Sequence, residues 1–200
     1  LLSYLFLKGR CRGCGERISI KYSLIEMLNS LLYVLIYCNY GNSIDSLKGF
    51  LLSSLLIVIA GIDLKTHYIY KSTTIFGIGA FIFIEIIDLL ISWQIPWENL
   101  LAGALGVLVI GAIVFFTGGM GEGDIEIALI IGLFLGIKGL MLALFIAFIL
   151  GGIIASIFLI LKFKERKAEI AFGPYLAIGA IISLLYSTEI INWYISLMKI

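Results

Sequence analysis

Apolar residues run nearly unbroken along this chain, and polar positions gather in short clusters between the runs instead of recurring at a period of two or 3.6. The runs fall at about 22–38, 47–62, 73–91, 100–117, 125–137, 139–161 and 170–186, with a short tail to 200. A helix that is apolar all round has no aqueous face, and about 20 such residues cross a bilayer. The pattern therefore predicts seven transmembrane helices in an all-α bundle. The run at 125–137 is short for a crossing and is expected to be a tilted or thinned span.

Composition agrees: 62% of the 200 residues are apolar and 14% charged, where soluble domains run at roughly 45–50% and about 25%. A water-soluble single domain is excluded. Net charge is +1, which excludes nucleic-acid binding by bulk counterion release.

The distribution of cations carries more information. Lys8, Arg10, Arg12, Arg17 and Lys21 precede the first run, Lys65 and Lys71 follow the second, and Lys162, Lys164, Arg166 and Lys167 follow the sixth. Cytosolic loops collect Lys and Arg, so these alternate loops are expected in the cytosol, as is the loop at 118–124. Lys48, Lys138 and Lys199 fall on the other side, with Trp93, Trp97 and Trp193 as an interfacial belt. The chain opens at Leu1 without a signal peptide and reads as a fragment beginning mid-protein. Residues 1–21 are expected to be the remnant of a cytosolic loop, and 22–200 the membrane domain.

Carboxylates near membrane depth need a reason. Glu85 and Asp88 are i,i+3 near an external helix end, where solvation or a local hydrogen bond suffices. Glu26 suits an ion pair with the nearby cations. Cys38 reads as a buried, inert thiol. Asp63, in Gly61-Ile62-Asp63-Leu64-Lys65-Thr66, and Asp124, in Gly118-Gly119-Met120-Gly121-Glu122-Gly123-Asp124, are predicted at the same depth on the same face. Two carboxylates close together at a low-dielectric boundary share one proton. That is the state aspartyl hydrolysis needs, with one member taking a proton from water and the other polarising the scissile carbonyl. Gly121 and Gly123 would let a substrate backbone approach. No Gly-Lys-Ser/Thr follows them, against a phosphate cradle. His67 is the only histidine and reads as an exposed loop residue; Gly103, Gly106, Gly151 and Gly152 suit close helix packing. Two other readings stand beside hydrolysis: a transporter with a carboxylate relay, and a non-catalytic assembly protein.

Gly121-Glu122-Gly123-Asp124 is similar to the Gly-x-Gly-Asp motif of membrane aspartyl proteases, and its surroundings resemble the type IV prepilin peptidases. The resemblance extends to Leu2-Ser3-Tyr4-Leu5, Gly9-Arg10-Cys11-Arg12-Gly13-Cys14, Leu24-Ile25-Glu26, Asp63-Leu64-Lys65-Thr66 and Phe172-Gly173-Pro174-Tyr175. It covers nearly the whole chain in order. It implies a polytopic enzyme of the bacterial cytoplasmic membrane that removes the basic leader of prepilins or pseudopilins at the cytosolic face. N-methylation of the new amino terminus with S-adenosylmethionine is the second activity it implies. Asp63 and Asp124 take the catalytic positions, and Lys65, Gly121, Gly123, Gly173 and Pro174 the motif or substrate groove. Leader removal requires no metal. Cys11 and Cys14 match one of two Cys-x-x-Cys pairs, half of a zinc site. Two departures stand out: Glu126 occupies a position where many members have lysine, and Ile69-Tyr70 one where they often have Ile-Pro.

Overall fold

In the computed structural model the described residues are 4, 9–10, 12–93, 95–161 and 171–198, without the side chain of Leu159. Among them lie six helices: α1 (Ile20–Tyr40), α2 (Ile44–Thr66), α3 (Lys71–Ser92), α4 (Trp97–Thr117), α5 (Glu122–Ile160) and α6 (Gly173–Met198). All six are long and apolar enough to cross a membrane.

Their ends follow local chemistry. Ser19 and Ser43 cap α1 and α2 by accepting the N–H groups of Lys21 and Ser46, meeting donors that have no intrahelical partner. Gly41 and Gly118 close α1 and α4 with positive φ (62° and 60°), where a Cβ would be strained. His67 and Trp93 do the same for α2 and α3 without that freedom (φ 51° and 56°).

α5 is not one rod. At Gly136 (φ 68°, ψ −176°) the helical path breaks, and the neighbours on either side show a reversal. Before the break, Ala128 and Gly132 lie against Gly106 and Ala102 of α4. After it, Gly139 meets Ser183, Ala143 meets Gly179, and Gly151 meets Phe172 and Tyr175 at the start of α6. The first arm, 122–135, thus runs away from the α6 N-terminus and the second, 137–160, returns to it. The expected short fifth span and the sixth are these two arms, so the described helices make seven rods. At 1.5 Å per residue the first arm rises only about 20 Å, and it fits because it is wrapped in protein. Ile127, Ile130 and Ile131 are fully buried with Leu52, Leu56, Ile59, Ile110 and Leu176.

Small residues set the close contacts, as packing in lipid demands. A methyl on Gly106 would stand 2.5 Å from the Ala128 carbonyl oxygen, and one on Gly179 would run into the Ala143 carbonyl. Gly103 and Gly151 have similar packing roles, but Gly152 faces open space. Carbonyls freed by helix breaks are met by side chains: Asn99 Nδ2 donates to Leu133 O (2.6 Å) near Gly136. Tyr40 Oη and Asn39 Nδ2 donate to Leu184 O and Leu185 O (2.5 and 3.1 Å) beside the break in α6 at Tyr186.

Two expectations are corrected here. Cys38 is exposed on the outer surface of α1, since the core side of this helix is carried by Leu32 and Ile36. Glu85 and Asp88 are neither merely solvated nor locally bonded: Lys48 of α2 reaches both, at 2.6 and 3.5 Å. Burial of the pair leaves a cation as the effective partner.

Candidate active site

Asp63 stands in the last turn of α2, where the left-handed His67 donates its N–H to the Asp63 carbonyl at 2.9 Å. The chain must turn there because α3 starts four residues later, at Lys71. The Asp63 side chain is buried (5% exposed). Its Oδ2 accepts the N–H of Gly173, the first residue of α6, at 3.0 Å. A helix N-terminus carries partial positive charge and unpaired N–H groups, so a carboxylate is at home there. Gly173 has to be glycine, because a Cβ would lie 2.6 Å from Asp63 Oδ2. Pro174 follows within the first turn, where its missing N–H costs nothing.

Asp124 is the third residue of α5 and is equally buried (6%). Its Oδ2 accepts the Gly121 N–H at 3.1 Å, while its own N–H donates to the Gly121 carbonyl at 3.1 Å. This reciprocal pair is a capping box closed by an aspartate. It explains the spacing of the motif, in which the first glycine is the cap and the aspartate lies three residues on. The second glycine has a different cause: a Cβ on Gly123 would stand 2.7 Å from Cδ1 of Ile69. Gly123 thus admits the protein's own α2–α3 strap.

Both aspartates line one half-open cavity of about 390 Å³, bounded by residues 67–69 and Lys71, by residues 118–123, and by Ala171 and Phe172. Glu126 is also on its wall, with Oε2 accepting from the buried Thr74 hydroxyl of α3 at 2.6 Å. That bond gives Glu126 a partner of its own, which composition could not foresee. His67 is exposed, as expected, yet it too lines the cavity. Lys65 is exposed and lies outside the lining, so it is not brought to the dyad. Tyr175 stacks at 6.2 Å on Phe172, which borders the cavity.

Sequence reasoning missed Thr74 and Ile69, whose roles depend on contacts between helices. Cys14 is exposed, its sulfur 3.9 Å from Glu16 Oε2, and Cys11 lies outside the described residues. Among the described residues no three His, Cys, Asp or Glu side chains are grouped to hold a metal. They do not fit a complete zinc site.

Comparison with known proteins places this chain in a family. Residues 50–156 match the Type IV leader peptidase family, and residues 1–40 match the bacterial Peptidase A24 N-terminal domain. The chain is 32% identical over 198 residues to a prepilin leader peptidase/N-methyltransferase of Bacillus subtilis, covering 98% of this chain and 79% of that protein. Proteins of the same name from Aeromonas salmonicida (32% over 203 residues, 98% and 68% covered) and Neisseria gonorrhoeae (30% over 206 residues, 98% and 69%) are also similar. No solved structure matches the chain. With both family regions present in order on an all-helical, membrane-spanning fold, the chain belongs to the Type IV leader peptidase family and is a peptidase.

Proposed function

We propose that this chain is an aspartyl endopeptidase that removes the basic leader of prepilin-type precursors, with Asp63 and Asp124 as its catalytic pair. The observation that carries the proposal is their arrangement: two buried carboxylates line one cavity, and each has an oxygen held by a backbone N–H from a helix start. Each bond orients its carboxyl at the cavity wall, and fixed orientation is what hydrolysis by a carboxylate pair needs.

In this reading the pair holds a single proton, and a water lies between the carboxyls. The ionised member removes a proton from the water as its oxygen bonds to the scissile carbonyl carbon. The protonated member donates to the carbonyl oxygen, giving a tetrahedral diol. The C–N bond then breaks: the protonated member gives its proton to the leaving amine nitrogen, the other member takes a proton from a diol hydroxyl as the carbonyl re-forms, and the pair again holds a single proton. The apolar helix of the precursor rests in the bilayer while the leader stays in the cytosol. The distribution of Lys and Arg supports a cytosolic site in the cytoplasmic membrane.

The relatives' names carry a second activity, N-methyltransferase. For this chain we propose it as the following step, with S-adenosylmethionine as the methyl donor; leader removal is derived without it.

The test is cleavage of a co-expressed or synthetic prepilin by the parent chain and by Asp63→Asn and Asp124→Asn. Each variant should remain membrane-inserted and lose roughly 10²–10⁴-fold or more in rate, the range general acid–base groups supply. Retained cleavage in either variant rejects the dyad. A chelator should leave leader removal intact.

A further inference from the structure

The strap His67–Tyr70 borders the cavity that holds both aspartates. His67 turns the chain out of α2 in the left-handed region, and Tyr70 is extended (φ −75°, ψ 125°). Between them Ile69 packs into the main core and fills the notch over Gly123, so the strap is anchored beside the motif.

Its backbone polar groups can be followed one by one. The single proton of Thr66 Oγ1 is shared between the Ile62 and Tyr68 carbonyls (3.0 and 3.1 Å), and the same oxygen accepts the Tyr68 N–H (3.3 Å). The Tyr70 carbonyl accepts from the N–H groups of Thr73 and Thr74 (2.9 and 3.5 Å). At the centre, neither the N–H nor the C=O of Ile69 has a partner among the described residues. Residues 68–70 lie outside helix and turn and Tyr70 is extended; where backbone is extended, a residue's N–H and C=O point to the same side and can exchange both bonds with one residue of a neighbouring strand.

A substrate helix must unwind at its scissile bond to reach a carboxylate pair. The unwound residues lose their intrahelical partners at the membrane boundary, where an unmet N–H or C=O is costly. A non-helical strap with the donor and acceptor of Ile69 unused, and the Tyr70 N–H beside them, stands next to the cleavage site and supplies what those residues lose. We infer that the main chain of Ile69 pairs with one extended substrate residue flanking the scissile bond, making the strap a positioning element of the peptidase. The inference rests on the leader-peptidase reading above.

The experiment uses the purified full chain in liposomes and a peptide spanning a prepilin cleavage junction, N-methylated in turn at each residue flanking the scissile bond. N-methylation blocks strand pairing. At one position, where the methyl removes the N–H that donates to the Ile69 carbonyl and crowds the paired edge, it should lower kcat/KM about tenfold or more for the parent and for Ile69→Val. Ile69→Pro keeps that carbonyl but lacks the N–H that holds the other half of the pair, so the remaining bond is weakened and the penalty should fall to less than about threefold. An equal penalty in Ile69→Pro overturns the inference. Should Ile69→Pro not fold, hydrogen exchange on the parent decides: an uncleavable peptide analogue should protect the Ile69 amide, and unchanged exchange overturns it. A parent chain that does not cleave the unmodified peptide in an Asp63- and Asp124-dependent way overturns the peptidase reading itself, an outcome separate from either.

Discussion

At the residue scale the two glycines of the Gly-x-Gly-Asp segment differ in what surrounds them. A Cβ on Gly121 would have Asp124 Oδ2 as its nearest neighbour, at 3.9 Å, whereas one on Gly123 meets Ile69 at 2.7 Å. Gly121→Ala keeps the N–H that Asp124 accepts and should cost no more than about 1 kcal/mol as a change of cap. Gly123→Ala must push the strap away from the motif and should cost about 1–3 kcal/mol as overpacking. Leader cleavage and thermal denaturation of the two variants in detergent would show the contrast, and equal effects would count against it. Gly173→Ala, with its methyl 2.6 Å from Asp63 Oδ2, should abolish cleavage while the protein still inserts.

At the element scale two joints govern the site's surroundings. Tyr70 precedes α3 with a φ of −75°, its N–H has no partner among the described residues, and proline is preset for such a position. Tyr70→Pro should therefore be tolerated and should stabilise by about 0.4–1 kcal/mol through the unfolded state; a lowered melting temperature would refute this. The hairpin at Gly136 is the second joint. Alanine there has room, since the nearest atom is Glu98 Oε1 at 3.5 Å, but it would inherit a φ of 68°. Gly136→Ala should destabilise by about 1–3 kcal/mol, the penalty of a Cβ at positive φ with ψ near 180°, a region essentially reserved for glycine, and a thermal shift assay would register the loss.

At the scale of the whole molecule two carboxylate pairs stand toward opposite ends of α2. One is the Asp63–Asp124 cavity; the other is the Lys48 cluster with Glu85 and Asp88, which ties α2 to α3 far from it. Lys48→Met strands buried carboxylates and should cost about 3–5 kcal/mol, whereas adding Glu85→Leu should recover much of that. Destabilisation that the second change does not relieve would mean that Lys48 matters for something other than the pair. Orientation has its own test. A cysteine placed at Gly119 should be labelled only from the cytosolic side and one at Asn42 only from outside, with the native cysteines replaced; the opposite pattern would invert the proposed topology.

How much of this could be read from the chain alone depends on the range of the interaction. Apolar runs announce membrane helices because every backbone polar group in lipid has to be met within its own segment, and seven runs correspond to seven rods. The family, and the two aspartates that the structure brings to one cavity, were legible as motifs of fixed spacing. The hairpin at Gly136, the strap held in the Gly123 notch, the Thr74 bond to Glu126 and the Lys48 cluster were decided only by the tertiary structure. Each joins residues on different helices, or on two arms of one, and no periodicity within a single run specifies which face of one rod will meet which face of another.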